Sequence, residues 1–126
     1  MITHPLWTSS QLARRQLAES GLTVVATQRR TKGVQLDASL LAWAKQAGRL
    51  VKIDRGSPWG NPYVIPADGN RDEVCDRYAT SYLPSRPDLL AKIPELKGKV
   101  LVCWCHPQQC HGDHLARLAN GLEVMA

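Results

Sequence analysis

Lys99 to Asn120 reads KVLVCWCHPQQCHGDHLARLAN and gathers three of the chain's four cysteines beside a Cys-His pair. Thiols and imidazoles this close together supply nucleophiles, proton carriers or soft metal ligands. Cys103 and Cys105 stand two apart in an extended run, so both point to one face and Trp104 to the other. Cys110 falls at a turn or first helical position, where exposed backbone amides favour a thiolate. His111 is its immediate neighbour, and His114 lies one helical turn on, better aimed at Cys110 than its sequence neighbour.

Three chemistries fit these residues. In the first, Cys110 is a nucleophile, His111 or His114 its base, and Asp113 the acid that orients or protonates. In the second, Cys103, Cys105 and Cys110 with His111 or His114 make a three-sulfur, one-nitrogen set that suits zinc. The C-x-C-x4-C-H spacing is not the usual pair of C-x2-C knuckles. In the third, the open amides of a helix starting near Gly112 seat an anion without covalent chemistry. Against all three stands a plain core: buried cysteines, with His111 capping the helix. Cys75, on a helical apolar face, reads as core.

A second stretch, Arg55 to Tyr63, reads RGSPWGNPY. Arg55 can clamp a phosphate or carboxylate through two N–H groups. Gly56 and Gly60 allow close backbone approach. Trp59 offers a flat face to a base or sugar, and Asn61 both donates and accepts. The same residues also describe a rigid turn in which Trp59 covers the core and Asn61 bonds its own backbone.

Periodicity supplies the framework that carries these loops. Val100 to Trp104 is a short apolar run of buried-strand type, and Leu115, Ala116, Leu118 and Ala119 have helical spacing. Leu50 to Asp54 reads as a strand leading into the Arg55 loop, and Val64-Ile65 as a brief return strand. If the two principal strands are parallel neighbours, both loops meet at their carboxyl ends, where open α/β sheets bind ligands. Leu36 to Ala47 is a helix with Asp37 as N-cap. Asn70 and Glu73 form a capping box for a helix burying Val74, Cys75, Tyr78, Ala79 and Tyr82. Ser85 and Pro87 start a short helix through Ile93 that Pro94 ends. The alternation from Leu36 onward predicts an α/β fold with a short, mostly parallel sheet flanked by helices.

Residues 1–34 read as a lead segment set apart from an α/β domain over 35–126. Ser9 or Ser10 caps a helix through Ala18 whose thin face, Leu12, Ala13 and Leu17, suits a partner surface. Thr23 to Thr27 is a short strand, and Arg29, Arg30 and Lys32 make a basic turn beside Gly33.

At 126 residues, 44% hydrophobic and 21% charged, the chain has the size and composition of one globular domain. It contains no run of 18 apolar residues, so no spanning helix is expected. The N-terminus lacks the basic-then-apolar order of a secretory signal, which predicts a cytoplasmic protein with reduced thiols. A net charge of +5 favours an anionic partner, nucleotide or nucleic acid.

DRGSPWGNPYVIP and GKVLVCWCHPQQCHGDHLARLAN together resemble the domain-of-unknown-function family 4326 of phages, prophages and bacteria. That family pairs R-x-S-x-W-G-N-P-[FY] with C-W-C-x-P-x-x-C-H-G-[DE]. The residues that match are Arg55, Ser57, Trp59, Gly60, Asn61 and Pro62, then Cys103, Trp104, Cys105, Pro107, Cys110, His111, Gly112 and Asp113. The cysteine motif is also similar to the C-x-E-x(4)-C-H-R turn of uncharacterised family 488, which implies a Rossmann-like layered fold with the Cys-His turn at the ligand edge. Neither family implies a reaction; where such folds place their ligands gives the expectation of binding a nucleotide, nucleoside or modified base, with processing an open extension of it. Arg55 and the Gly112 amide hold phosphate, Trp59 stacks, Ser57 and Asn61 orient, and Cys110, His111 and Asp113 react. The alternative is a non-enzymatic DNA-binding adaptor, either plain or zinc-stabilised through Cys103, Cys105, Cys110 and His114, that uses Arg14-Arg15 and Arg29-Arg30. A redox-sensing pair of Cys103 with Cys105 or Cys110 is a third reading.

Overall fold

The computed structural model describes residues 7–104 and 110–121. Its centre is β5 (Val100–Cys103), an unbroken apolar strand buried on both faces, as parallel strands under helices require. β1 (Val24–Thr27) pairs with it on one side, Val24 opposite Val100, and β4 (Leu50–Lys52) on the other, Leu50 opposite Val100. The sheet is therefore β1-β5-β4, all parallel. The last strand in sequence lies in the middle, so the segments that continue from β4 and from β5 leave the sheet side by side.

Alternation along the strands builds a core on each face. Val24, Ala26, Val100 and Val102 pack with Ala18 of α1 (Ser9–Glu19) and with Leu40, Leu41 and Ala44 of α2 (Ala38–Gln46). Val25, Leu101 and Cys103 pack on the other face with Ile53, Trp59, Tyr78, Leu89 and Leu115. Ile53 and Trp59 follow β4; the rest of that layer comes from the π-turn Tyr78–Tyr82 that continues α3 (Arg71–Arg77), from α4 (Pro87–Leu90), the 3-10 turn Ile93–Leu96 and α5 (His111–Ala119). The α/β architecture with a small, helix-flanked parallel sheet is as the sequence predicts.

The N-terminal segment is part of this body. A boundary at residues 34/35 passes through β3 (Val34–Gln35), which forms a hairpin with β2 (Arg30–Thr31). Lys32 and Gly33 both have positive φ, 53° and 79°, the geometry of a tight two-residue hairpin turn. Helix α1 is capped by Thr8, not Ser9 or Ser10. Leu12 and Leu17 are exposed, and the buried residues are Gln11 and Ala18. Polar reach explains the difference. Gln11 Oε1 accepts the Leu40 N–H at 2.8 Å, and so caps α2 from a distance. Asp37 occupies the N-cap position of α2 without a side-chain cap bond. Its carboxylate instead takes the Thr27 N–H at 2.9 Å and the Arg14 guanidinium at 2.7 and 3.0 Å.

Two further expectations change. Val64-Ile65 is a turn rather than a return strand, with the Val64 N–H held by Asp68 Oδ2 and the Val64 carbonyl by the Asp68 N–H. The short helix α4 starts after Arg86, not Ser85, whose hydroxyl bonds back to the Tyr82 carbonyl. Among the described residues no helix is long and apolar enough to cross a membrane.

Candidate functional site

The loop after β4 is fixed largely by its own backbone. Ser57 donates its N–H and its hydroxyl to the Asp54 carbonyl, at 2.9 and 2.8 Å, which tightens the turn after the strand. Gly60 returns against that turn so closely that a Cβ there would lie 2.6 Å from the Asp54 carbonyl oxygen. The next residue, Asn61, ties the loop to α3: its Nδ2 donates to the Val74 carbonyl at 3.1 Å and its Oδ1 takes the Tyr63 N–H at 3.0 Å. Arg55 reaches across to the Tyr63 carbonyl at 3.2 Å. The capping box of Asn70 and Glu73 forms as expected and sets the start of α3 beside the loop.

The turn after β5 ends at a second capping box. Cys110 is the N-cap of α5: its sulfur accepts the Gly112 N–H at 3.3 Å, and Asp113 Oδ2 takes the Cys110 N–H at 3.2 Å. His111 is buried, with Nε2 2.8 Å from the Ile53 carbonyl and Nδ1 3.7 Å from Cys110 Sγ. The imidazole thus ties the start of α5 to the end of β4. Tyr78 stacks at a tilt on it, ring centroids 4.8 Å apart, and donates its hydroxyl to the Trp59 carbonyl at 2.8 Å. Burial above all, with Tyr82 and Cys110 nearby, pushes the Tyr78 phenol far above the ordinary tyrosine range, while Arg86 pulls the other way.

Beside the Arg55–Tyr63 loop lies a cleft of about 420 Å³ at the carboxyl ends of β4 and β5. Val74, Cys75, Cys103 and His111 are its buried lining; Asp54, Asn61, Tyr63 and Arg71 are half-buried; Arg55, Gly56, Ile65 and Trp104 are exposed. Asp54 and Arg55 after β4 and Trp104 after β5 line this one cleft, as parallel neighbouring strands predict.

The family model described as Domain of unknown function (DUF4326) matches residues 41–121, which include both loops and every lining residue. The chain belongs to this family. The match begins inside α2, so α1 and the edge strand β1 of this DUF4326 member precede it. An uncharacterised protein, R718, of Acanthamoeba polyphaga mimivirus is 43% identical over 75 residues, covering 53% of this chain and 56% of the relative. An uncharacterised 12.4 kDa protein from the nrdA-td intergenic region of Enterobacteria phage T4 is 35% identical over 75 residues, covering 57% of this chain and 68% of that protein. The aligned part thus spans just over half of the mimivirus relative. No solved structure matches the chain.

The structure divides the DUF4326 motif residues into groups. Arg55, Asn61, Cys103 and His111 line the cleft. Cys110, Asp113 and His114 line an adjoining pocket of about 320 Å³, and His111 and Cys75 are common to both. Ser57 borders a third hollow with Arg55, Asn61 and Arg86. Trp59, expected to stack on a ligand, is 7% exposed and belongs to the core. Gly112, expected to present an open amide, is buried: its N–H is taken by Cys110 Sγ, and a Cβ there would sit 2.5 Å from Ile53 Cδ1. His111 is an imidazole within reach of the Cys110 sulfur, and His114 shares a pocket with that cysteine. Among the described residues no group of three or more His, Cys, Asp or Glu converges as a metal site. The expected zinc set needs Cys105, which lies outside the described residues, as does Pro107.

Sequence reasoning missed Trp104, Tyr63, Arg71 and the cleft-side role of Cys75. Strict alternation puts Trp104 on the sheet face opposite Cys103. β5 ends at Cys103, however, so Trp104 lies in a bend where the period-two rule no longer holds, and it is 55% exposed. A tryptophan placed directly after a buried strand was the available signal.

Proposed function

We propose that this domain binds a nucleotide, nucleoside or modified base in the cleft between the Arg55–Tyr63 loop and the facing ends of β5 and α5. The observation that carries the reading is the composition of that cleft. It holds about 420 Å³, with two guanidinium groups, Arg55 and Arg71, and two aromatic rings, Tyr63 and Trp104, around an otherwise largely apolar lining. Small-molecule sites run from about 300 to 1,000 Å³. Guanidinium groups pair with phosphate oxygens through forked N–H donors, and flat rings accept a base by stacking. The position at the carboxyl ends of parallel strands is where such folds bind ligands, and the net charge of +5 draws an anion in. Phosphate contact falls to Arg55 and Arg71, and stacking to Trp104 in place of Trp59. Processing of the bound molecule would draw on Cys110 and His111. The same reading assigns the protein to a reducing cytoplasm, where its cysteines act as thiols.

The adaptor reading has less support. Arg14 is held by Asp37 and the Val25 carbonyl, and Arg15 lies over the rings of Trp7 and Trp43, 5.3 and 5.0 Å from their centroids. Both arginines have structural work beyond any phosphate contact.

Calorimetric titration with nucleoside monophosphates, nucleosides and modified bases tests the proposal. The expected result is saturable binding, with Arg55→Ala weakening the phosphate-bearing ligands at least tenfold, about 1.4 kcal/mol. Trp104→Ala should weaken ligands with and without phosphate. Absence of binding across the panel, or binding indifferent to both substitutions, would overturn it.

A further inference from the structure

Ligand binding leaves one feature of the site unused. Cys103 Sγ and Cys110 Sγ lie 2.9 Å apart although seven positions separate them in sequence. Both are buried thiols. The fold creates the contact, because Cys103 ends β5 and Cys110 caps α5. The pair also stands between two hollows: Cys103 lines the cleft, and Cys110 lines the adjoining pocket.

The surroundings of the two sulfurs differ. His111 Nε2 faces the Ile53 carbonyl at 2.8 Å. A carbonyl only accepts, so Nε2 carries the hydrogen, and in the neutral ring Nδ1 is the acceptor. That acceptor is 3.7 Å from Cys110 Sγ, which also receives the Gly112 N–H. Cys110 therefore has a place for its proton and a donor for its thiolate. Cys103 Sγ faces the Ala26 carbonyl at 4.0 Å.

We propose that Cys103 and Cys110 form a redox-active dithiol that exchanges with a low-molecular-weight disulfide, Cys110 attacking and Cys103 resolving. Cys110 gives its proton to His111 Nδ1, and its sulfur attacks one sulfur of the incoming disulfide. The substrate S–S bond breaks, a mixed disulfide forms on Cys110, and the departing thiolate takes the proton from His111. Cys103 then attacks Cys110 Sγ. The mixed disulfide breaks, and the second small thiolate leaves with the proton that Cys103 gives up. Two electrons and two protons pass to the substrate, leaving a Cys103–Cys110 disulfide and two small thiols.

The test incubates the full chain with excess glutathione disulfide, traps remaining thiols by alkylation in acid, and maps the peptides by mass spectrometry. The expected product has lost two hydrogens, carries its bond between Cys103 and Cys110, and reverts on reduction. Cys103→Ser should stop at a glutathione adduct on Cys110, and His111→Gln should slow adduct formation at least tenfold. A bond to Cys105, an adduct on Cys75 or Cys103, or full alkylation of Cys103 and Cys110 after oxidation would overturn the assignment. An unchanged rate in a folded His111→Gln variant would do the same. The wild-type map decides the pairing even where a variant fails to fold. No nucleotide takes part, so the outcome is independent of the binding reading.

Discussion

Tyr78 shows how one hydroxyl serves both fold and site. Its phenol is buried against His111 and donates to the carbonyl of Trp59, so it joins the Arg55–Tyr63 loop to the layer beneath the sheet. Removing the donor leaves a buried carbonyl unsatisfied, which costs about 1–3 kcal/mol. Tyr78→Phe should accordingly lower the unfolding midpoint in urea. The phenol's upward shift has its own sign. The folded state holds this proton more tightly than the unfolded chain, whose tyrosines ionise near about pH 10. The contribution is complete below that pH and is lost as pH rises further. Stability of the wild-type protein should therefore fall more steeply above pH ~10 than that of Tyr78→Phe, as pH-dependent denaturation would measure.

Residues of the same type were legible in sequence to different degrees. Cys110 was readable as a turn or first helical position because helix starts are local, whereas Asp113 reads as an acid and proves to be the second member of a capping box. Trp59 was not legible in this way, since the surfaces that bury it come from residues far along the chain. Asn61 Oδ1 takes the Tyr63 N–H, the local backbone bond that the sequence allowed, while its Nδ2 bond to Val74 joins a residue 13 positions away that no local pattern indicates.

Among the elements, α1 and α2 are joined by polar groups that no short-range pattern reveals. Asp37 lies at the N-cap position of α2, and that placement alone suggested capping. Its carboxylate is drawn instead to Arg14, 23 positions away, and to the Thr27 amide. The side chains of this ion pair are only 15% and 8% exposed. Arg14→Ala leaves a buried carboxylate with part of its support gone, and breaking such a pair costs about 3–5 kcal/mol. Thermal unfolding should register that loss, while Arg29→Ala, at an exposed position, should leave the midpoint within about 0.5 kcal/mol of wild type. Equal effects of the two substitutions would contradict the structural role given to Arg14. Strand β5 and helix α5 were legible for the opposite reason, because an apolar run leading into helical spacing needs no distant partner to be read.

At the scale of the whole molecule, strand order decides where the site is. β5 enters between β1 and β4, so the carboxyl ends of β4 and β5 are neighbours and the cleft forms there. The parallel sheet was predictable from alternation; its order was not, because nothing within a strand states which strands flank it. Nor did the sequence reveal that the N-terminal segment closes one edge of the sheet and supplies Val24, Ala26 and Ala18 to the core. A chain starting at residue 35 would expose one side of β5 and remove those three side chains from the apolar layer. It should fail to show a cooperative unfolding transition, and circular dichroism during heating would reveal this. A folded 35–126 fragment would mean that the N-terminal segment is dispensable to the core.

The central claim is that the cleft at the ends of β4 and β5 is the binding site for a nucleotide, nucleoside or modified base. Amide chemical-shift mapping by nuclear magnetic resonance during titration with a nucleoside monophosphate tests it most directly. The account predicts saturable shifts concentrated at residues 54–56, 61–65, 71–75, 103–104 and 111, with the Trp104 indole signal moving among them. Shifts concentrated on α1 and the β2–β3 hairpin, or no shifts at saturating ligand, would contradict it.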